Sequence, residues 1–194
     1  LNRVENQDYI YYRKGSVAMY WAKEALGEDV VDAAMRKLLA QYAFKGAPYP
    51  NTTDFLKLLR AEAGPTNDAV ITDLFEKITV LDLKASNAVA TKLPNGKYSV
   101  TFDIDAHKYY ADGSGKETAA PMNEQVEVGV FTAEPGKKGF DAASVLLMHR
   151  VPIHGPPMPV TVVVDKPPLW VGVDPYNKRI DRNTDDNLTR VELK

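Results

Sequence analysis

Three histidines, His107, His149 and His154, are the first residues to weigh for chemistry, because imidazole is the commonest transition-metal ligand and a frequent general base. His149 and His154 lie five apart with Pro152 between them, so they cannot share a helical face as the two histidines of HExxH do. The chain has no cysteine, which leaves a structural zinc site short of ligands. The histidines are therefore expected on strand or loop surface, and no zinc set is expected within the chain. Asp181, Asn183, Asp185, Asn187 and Glu192 fall at positions 1, 3, 5, 7 and 12 of an EF-hand-like calcium loop, with Leu188 at the usual apolar eighth position. Asp186 stands where the sharp turn needs glycine, however, and Val171-Gly172-Val173-Asp174-Pro175 does not read as an entering helix. A solvated tail of turn-forming Asp and Asn accounts for the same residues. Serine chemistry finds no support, since Gly113-Ser114-Gly115 lacks the GxSxG elbow, and no phosphate loop or dinucleotide fingerprint occurs. The remaining feature is Tyr9-Ile10-Tyr11-Tyr12-Arg13-Lys14-Gly15. Aromatic clustering ahead of a helix is ordinarily packing, but a tyrosine hydroxyl at such a junction can also donate to a developing oxyanion. Spacing alone leaves both open.

The elements that must hold these residues change texture once. From Gly15 to about Glu76 the apolar residues follow helical spacing. Val17, Ala18, Met19, Trp21 and Leu26 predict a helix stopping at Gly27. Val30, Val31, Ala34, Leu38 and Leu39 predict a second, with Glu28 and Asp29 suited to its positive N-terminal end. A third carries Phe55, Leu56 and Leu59, capped by Asn51 or Thr52 and ended by Gly64-Pro65. A fourth, capped by Thr66, runs through Val70, Leu74 and Phe75. From Ile78 onward the period becomes two: Tyr98, Val100, Phe102 and Ile104, then Val126, Val128 and Val130, then Val160, Val162 and Val164. Pro94-Asn95-Gly96 predicts a hairpin with a type I′ turn. About seven strands in roughly 95 residues predict an antiparallel β-sandwich of immunoglobulin-like size. The expected divisions are a helical part over 1–77, a β-sandwich over 78–175 and a C-terminal tail over 176–194.

Composition bounds the function classes. The 194 residues are 44% hydrophobic and 26% charged, with a formal net charge of −2. That is globular rather than disordered, and it argues against nucleic acid as the main partner. No run approaches the ~18 apolar residues of a membrane span. Absence of cysteine excludes disulfides and thiol nucleophiles. The opening Leu-Asn-Arg-Val-Glu-Asn reads neither as a signal peptide nor as a usual translation start, and the expectation is a piece of a longer protein.

Tyr12-Arg13-Lys14-Gly15 followed by Ser16-Val17-Ala18-Met19-Tyr20 resembles the Tyr-x-Lys-Gly segment of the alanyl (membrane) aminopeptidase family of HExxH zinc metallopeptidases. The similarity continues through Leu38-Leu39, Tyr42-Ala43-Phe44-Lys45, Tyr49-Pro50, Thr53-Asp54-Phe55 and Gly64. The ending, Asp174-Pro175-Tyr176-Asn177 to Asp186-Asn187, resembles bacterial members fused to transporter permease segments. The resemblance implies an α+β fold in which the end of a thermolysin-like catalytic domain precedes the β-sandwich. It implies that Tyr12 is the catalytic residue carried here, stabilising the tetrahedral intermediate, and that Tyr11 is out of register with that role. It also implies a full-length parent, membrane-associated in the permease-fused branch, that hydrolyses N-terminal peptide bonds with zinc-activated water. HExxH and its following glutamate are absent, so zinc belongs to the parent, and the fragment alone is expected to hold no cofactor and to be inactive.

The partners so implied are the upstream catalytic half of the same chain and a peptide substrate. Helices shaped for that upstream half would expose Met19, Trp21 or Leu38 and drive self-association of the fragment. Two rival readings stand beside this one: a non-catalytic scaffold or interaction module built on the β-sandwich, and a calcium-dependent surface module using residues 181–192.

Overall fold

The structure, a computed structural model, describes residues 7–194 apart from the side chains of Tyr9 and Tyr11. The opening Leu1–Asn6 stretch singled out above lies outside the described residues. Among the described residues the fold is mixed α+β: four α-helices precede nine strands in two sheets, and neither sheet closes into a barrel. Two compact units divide the chain. One runs to Thr79 and takes in Ala111–Gly115; the other comprises Val80–Tyr110 and Lys116–Lys194. No helix among the described residues is long and apolar enough to cross a membrane.

In the helical unit the aromatic run is not a loop before a helix. Tyr9–Lys14 forms a π-helical turn that continues directly into α1, Gly15–Leu26. The Ser16 hydroxyl donates to the Tyr12 carbonyl, a back-bond that competes for an acceptor the regular helical ladder would use. Gly27, at φ 97°, ends α1 and starts α2, Glu28–Tyr42. α3, Thr52–Ala63, begins with a reciprocal cap. The Asn51 side chain accepts from the Thr53 and Asp54 amides at 2.8 and 3.3 Å, while Asp54 Oδ2 accepts from the Asn51 amide at 3.0 Å. Gly64, at φ 77°, closes α3. Pro65–Asn67 then adds a 3₁₀ turn, so α4, Asp68–Phe75, starts two residues beyond the expected Thr66 cap.

The core of this unit gathers Ala18, Trp21 and Ala22 of α1, Phe55, Leu56 and Leu59 of α3, and Ile71, Leu74 and Phe75 of α4. Phe55 and Phe75 meet edge to face at 6.3 Å. Arg60 ties α3 to α4, donating to both Glu76 oxygens at 3.0 and 3.1 Å and to Asp68. Of the residues expected to be exposed, Trp21 is only 2% exposed, and Met19 and Leu38 are half-buried. The helices of this unit cover that face themselves. Tyr20, Met35, Leu39, Phe44 and Tyr49 are among its exposed large hydrophobic residues instead.

In the second unit β1, Ile78–Lys92, and β2, Tyr98–Ala111, form a long hairpin. Its turn is not type I′. The Leu93 amide donates to the Lys97 carbonyl at 2.8 Å and the Gly96 amide to the Leu93 carbonyl at 2.9 Å; Gly96 has φ 83°. Pro94 presets the first central position of an ordinary type I turn, and Gly96 then takes the left-handed position of a three-residue loop. Buried residues in β1 switch from odd to even numbers between Ala85 and Ala88. The switch occurs at Asn87, whose φ of 52° marks a bulge.

One sheet has the order β3-β2-β1-β9, with β3 at Glu117–Ala120 and β9 at Glu192–Leu193. β6, Met158–Val164, also pairs with β2, from Tyr98↔Val164 to Ile104↔Met158. The other sheet has the order β5-β4-β7-β8. These strands are Val145–Ile153, Glu124–Phe131, Trp170–Val173 and Leu188–Arg190. The pairings are antiparallel except β1 with β9. The segment 176–194, expected as a solvated tail, thus contributes a strand to each sheet.

The sheet core is the alternating set Leu81, Leu83, Val100, Phe102, Ile104, Val126, Val128 and Val130, all fully buried. The strands also carry a second apolar cluster that the alternation hides. Gly129 and Gly172 face each other across β4 and β7. A Cβ on Gly129 would lie 2.2 Å from Phe131 Cζ, and one on Gly172 would lie 2.5 Å from Leu188 Cδ2. The Phe131 ring therefore lies over bare backbone, with Phe140 at 5.8 Å and Tyr176 at 6.4 Å between centroids.

Candidate functional site

Tyr12 lies in the π-helical turn and is 71% exposed, so it takes no part in the core formed by the described residues. π-helical turns are uncommon and recur at functional sites, because the extra residue re-aims side chains. Two residues on, Lys14 is half-buried, and burial pushes its ammonium below the ordinary lysine value.

The histidines do not gather. His107 on β2 lies 3.1 Å from Asp105 and stacks on Tyr109; His149 on β5 is exposed opposite Val128, and His154 is exposed beyond that strand. Among the described residues no three His, Cys, Asp or Glu side chains form a metal-binding group. Ser114 is held by an Asx turn, its amide and hydroxyl both bonded to Asp112 Oδ1 at 2.9 and 2.7 Å.

The second unit carries a buried polar network that the sequence reading missed. β7 runs into Asp174, which is 2% exposed with φ 43°. Its carboxylate accepts from the Lys178 amide at 3.1 Å and the Arg179 amide at 2.8 Å, closing a loop over Pro175–Asn177. Burial pushes the Asp174 carboxyl up to about 6, against the opposing pull of those amides and of the Arg179 charge. The Arg179 guanidinium is itself buried and donates to the Gln125 carbonyl at 3.1 Å; burial lowers its pKa, opposed by Asp174 and Glu124. Lys178 pairs with Glu127 at 3.0 Å. Lys108 of β2 pairs with Glu124 of β4 at 2.8 Å, joining the two sheets through a pair that is 7% and 9% exposed. Charged residues at strand positions of apolar parity, as at Lys108, are the one signal that could have found this network.

Beyond Asp174 the chain crosses to β1. The Leu81 amide donates to the Ile180 carbonyl at 2.9 Å and the Arg182 amide to the Leu81 carbonyl at 2.8 Å. Asp181 accepts from the Leu83 amide at 3.3 Å through Oδ1, while its Oδ2 is buried with no hydrogen-bond partner. Burial raises the Asp181 pKa, and the neighbouring Asn187 side chain opposes that rise. Asn187 is fully buried, with its side-chain amide against the Asp181 carboxylate.

The five expected calcium positions do not close as an EF-hand loop. Asn183 Oδ1 caps the Asp185 amide at 3.3 Å, Asp185 is exposed, and Leu188–Arg190 extends as β8 so that Glu192 reaches β9 opposite Val89. Beside this turn a cleft of about 330 Å³ is lined by Glu134, Trp170, Asn177, Thr184, Asp185 and Leu188. The Arg190 guanidinium lies 5.1 Å over the Trp170 ring. Neither a family model nor a curated protein matches the chain.

Proposed function

We propose that this chain is the C-terminal part of a zinc aminopeptidase-like protein, and that Tyr12 is its contribution to catalysis. The Tyr12 hydroxyl donates a hydrogen bond to the oxyanion that develops as the scissile carbonyl of an N-terminal peptide bond becomes tetrahedral. The zinc implied by the resemblance supplies an activated water and a Lewis acid when bound. The described residues bring no donor set together for it, so no step is assigned to a metal held by this chain.

The observation that carries the reading is the exposure of Tyr12 in the π-helical turn Tyr9–Lys14. Exposure of the motif tyrosine supports a role that needs its hydroxyl at the surface of this chain. Met35 and Leu39, exposed one turn apart on α2, suit helices that close a larger catalytic domain of thermolysin type. The helix-then-strand order and the Lys108–Glu124 bridge between sheets suit an immunoglobulin-sized β-sandwich following it.

The test is turnover of an alanyl reporter substrate by the zinc-loaded full-length parent and its Tyr12→Phe form. Loss of one oxyanion donor is expected to lower kcat by about 10²–10³ with KM little changed. Wild-type turnover in a zinc-loaded Tyr12→Phe enzyme removes the role of Tyr12, and absence of cleavage by a folded, zinc-loaded parent removes the peptidase reading.

A further inference from the structure

We propose that the cleft beside β7 and β8 binds a neutral pyranose sugar, free or at the end of a glycan, with Trp170 as its stacking surface and Asp185 and Asn177 on its hydrogen-bonding rim. The site lies within the sheet unit and does not depend on the peptidase reading. The inference starts from strand register. Phe131, Trp170 and Arg190 stand in one row across β4, β7 and β8, and Gly129, Gly172 and Leu188 stand in the next. Val171 and Val173, of opposite parity, are fully buried in the sheet core, so both rows lie on the other face of the sheet. Glycines inside strands mark places where something approaches the backbone closely. Here Phe131 fills the space over Gly129, and Leu188 fills that over Gly172. Leu188 and Trp170 both line the cleft of about 330 Å³.

The polar rim comes from three separate connections. Glu134 follows β4, Asn177 follows β7, and Thr184 and Asp185 precede β8. Asn177 is set at φ 53° in the loop that Asp174 closes, its amide donating to the Asp174 carbonyl at 2.9 Å. The Asn183 side chain caps the Asp185 amide at 3.3 Å, and Asp185 itself is exposed.

Charge selects the ligand. Glu134 and Asp185 repel an anion such as phosphate or a carboxylate. A cation meets two competitors already in place: the Arg190 guanidinium 5.1 Å over the Trp170 ring, and the Lys137 ammonium 4.0 Å from Glu134. Arg190 is not part of the cleft lining, so it covers the indole without filling the cleft. What remains is an aromatic surface, carboxylate acceptors, and an amide and a hydroxyl that both donate and accept. A pyranose offers the complement: an apolar C–H face to lie on an aromatic ring, and a rim of hydroxyls for the carboxylate and the amide. The volume sits at the low end of the ~300–1,000 Å³ of small-molecule sites, which fits one or two sugar rings.

The experiment is a titration of the ¹⁵N-labelled chain with glucose, galactose, mannose, N-acetylglucosamine, maltotriose and chitotriose, followed through the indole N–H resonances of its two tryptophans. Trp21, 2% exposed in the helical unit, is the internal reference. Expected is a saturable shift of the Trp170 resonance by one or more of these probes, with Kd about 1 mM, while Trp21 stays unmoved. Tighter binding of a trisaccharide than of its monosaccharide assigns the end of a glycan; equal affinity assigns the free sugar. Asp185→Ala and Asn177→Gly are each expected to weaken binding about tenfold with Tm unchanged. Asp185 is tied into its turn through its amide rather than its carboxylate, and glycine keeps the positive φ of residue 177. No shift at Trp170 through ~50 mM of every probe overturns the proposal. So does undiminished binding in either variant. Saturation by arginine methyl ester and by none of the sugars also overturns it, since the cleft then takes cations.

Discussion

At the scale of single residues, Asp174 sets a pH dependence. Its carboxyl is raised from 3.8 to about 6 by burial. Between those values the folded chain holds more protons at this group than the unfolded chain does, so its contribution makes stability fall as pH rises from 4 to 6. The two-unit shift corresponds to ~3 kcal/mol across that window. Asp181, also raised by burial, acts in the same direction. Asp174→Asn keeps a residue that tolerates the φ of 43° and removes the charge, at the cost of one acceptor for the Lys178 and Arg179 amides. Guanidinium melts of both proteins at pH 4 and pH 7 measure the difference. The variant is expected to gain on wild type by about 1–3 kcal/mol between the two pH values. Parallel pH profiles would show that Asp174 titrates normally.

Elements depend on a few backbone positions, and Asn87 is the clearest. β1 runs for fifteen residues, too long to keep one face on the core without correction. The left-handed φ of Asn87 resets the alternation so that Ala88 and Ala90 are buried where odd-numbered residues were buried before. Its amide also donates to Asp103 Oδ2 at 2.9 Å. Asn87→Gly can hold this conformation and loses only that exposed bond; Asn87→Val pays about 1–2 kcal/mol for the left-handed backbone besides. Chemical denaturation should therefore place the valine variant below the glycine variant by that amount. Equal stabilities would mean that β1 slips register rather than bulges.

For the sheet unit as a whole, the Lys108–Glu124 pair is the test of how the two sheets are joined. Removing one partner leaves a buried charge unanswered, and Lys108→Met alone is expected to cost about 3–5 kcal/mol. Lys108→Met with Glu124→Leu replaces both charges by apolar groups, and that double variant is expected to recover most of the loss. A double-mutant cycle by denaturant unfolding measures the coupling. Additive losses would place the two charges in solvent rather than against each other.

Much of this molecule was legible in its order of residues. Helical spacing marked the four helices, Asn51 and Gly64 marked the ends of α3, and period two marked β2, β4 and β6, because these features depend on neighbours within one or two turns. Tyr12 could be singled out by its motif, but whether it packed or stood exposed could not, since that depends on which side of a π-helical turn reaches solvent. The parity switch at Asn87 and the packing of Phe131 over Gly129 and of Leu188 over Gly172 were hidden, because each is decided by strands brought together from distant parts of the chain; the turn at Pro94 was a local misreading, since proline presets a type I turn. The same holds for the end of the chain. Asp181, Asp186 and Asn187 looked like solvated turn formers, and local composition alone favours that reading. Their burial comes from β8 and β9 joining opposite sheets, which places residue 181 against residue 81. Period and capping belong to the sequence by itself; desolvation, and with it the raised pKa of Asp174 and of Asp181, belongs to the tertiary structure, because only long-range packing removes water from a charged group.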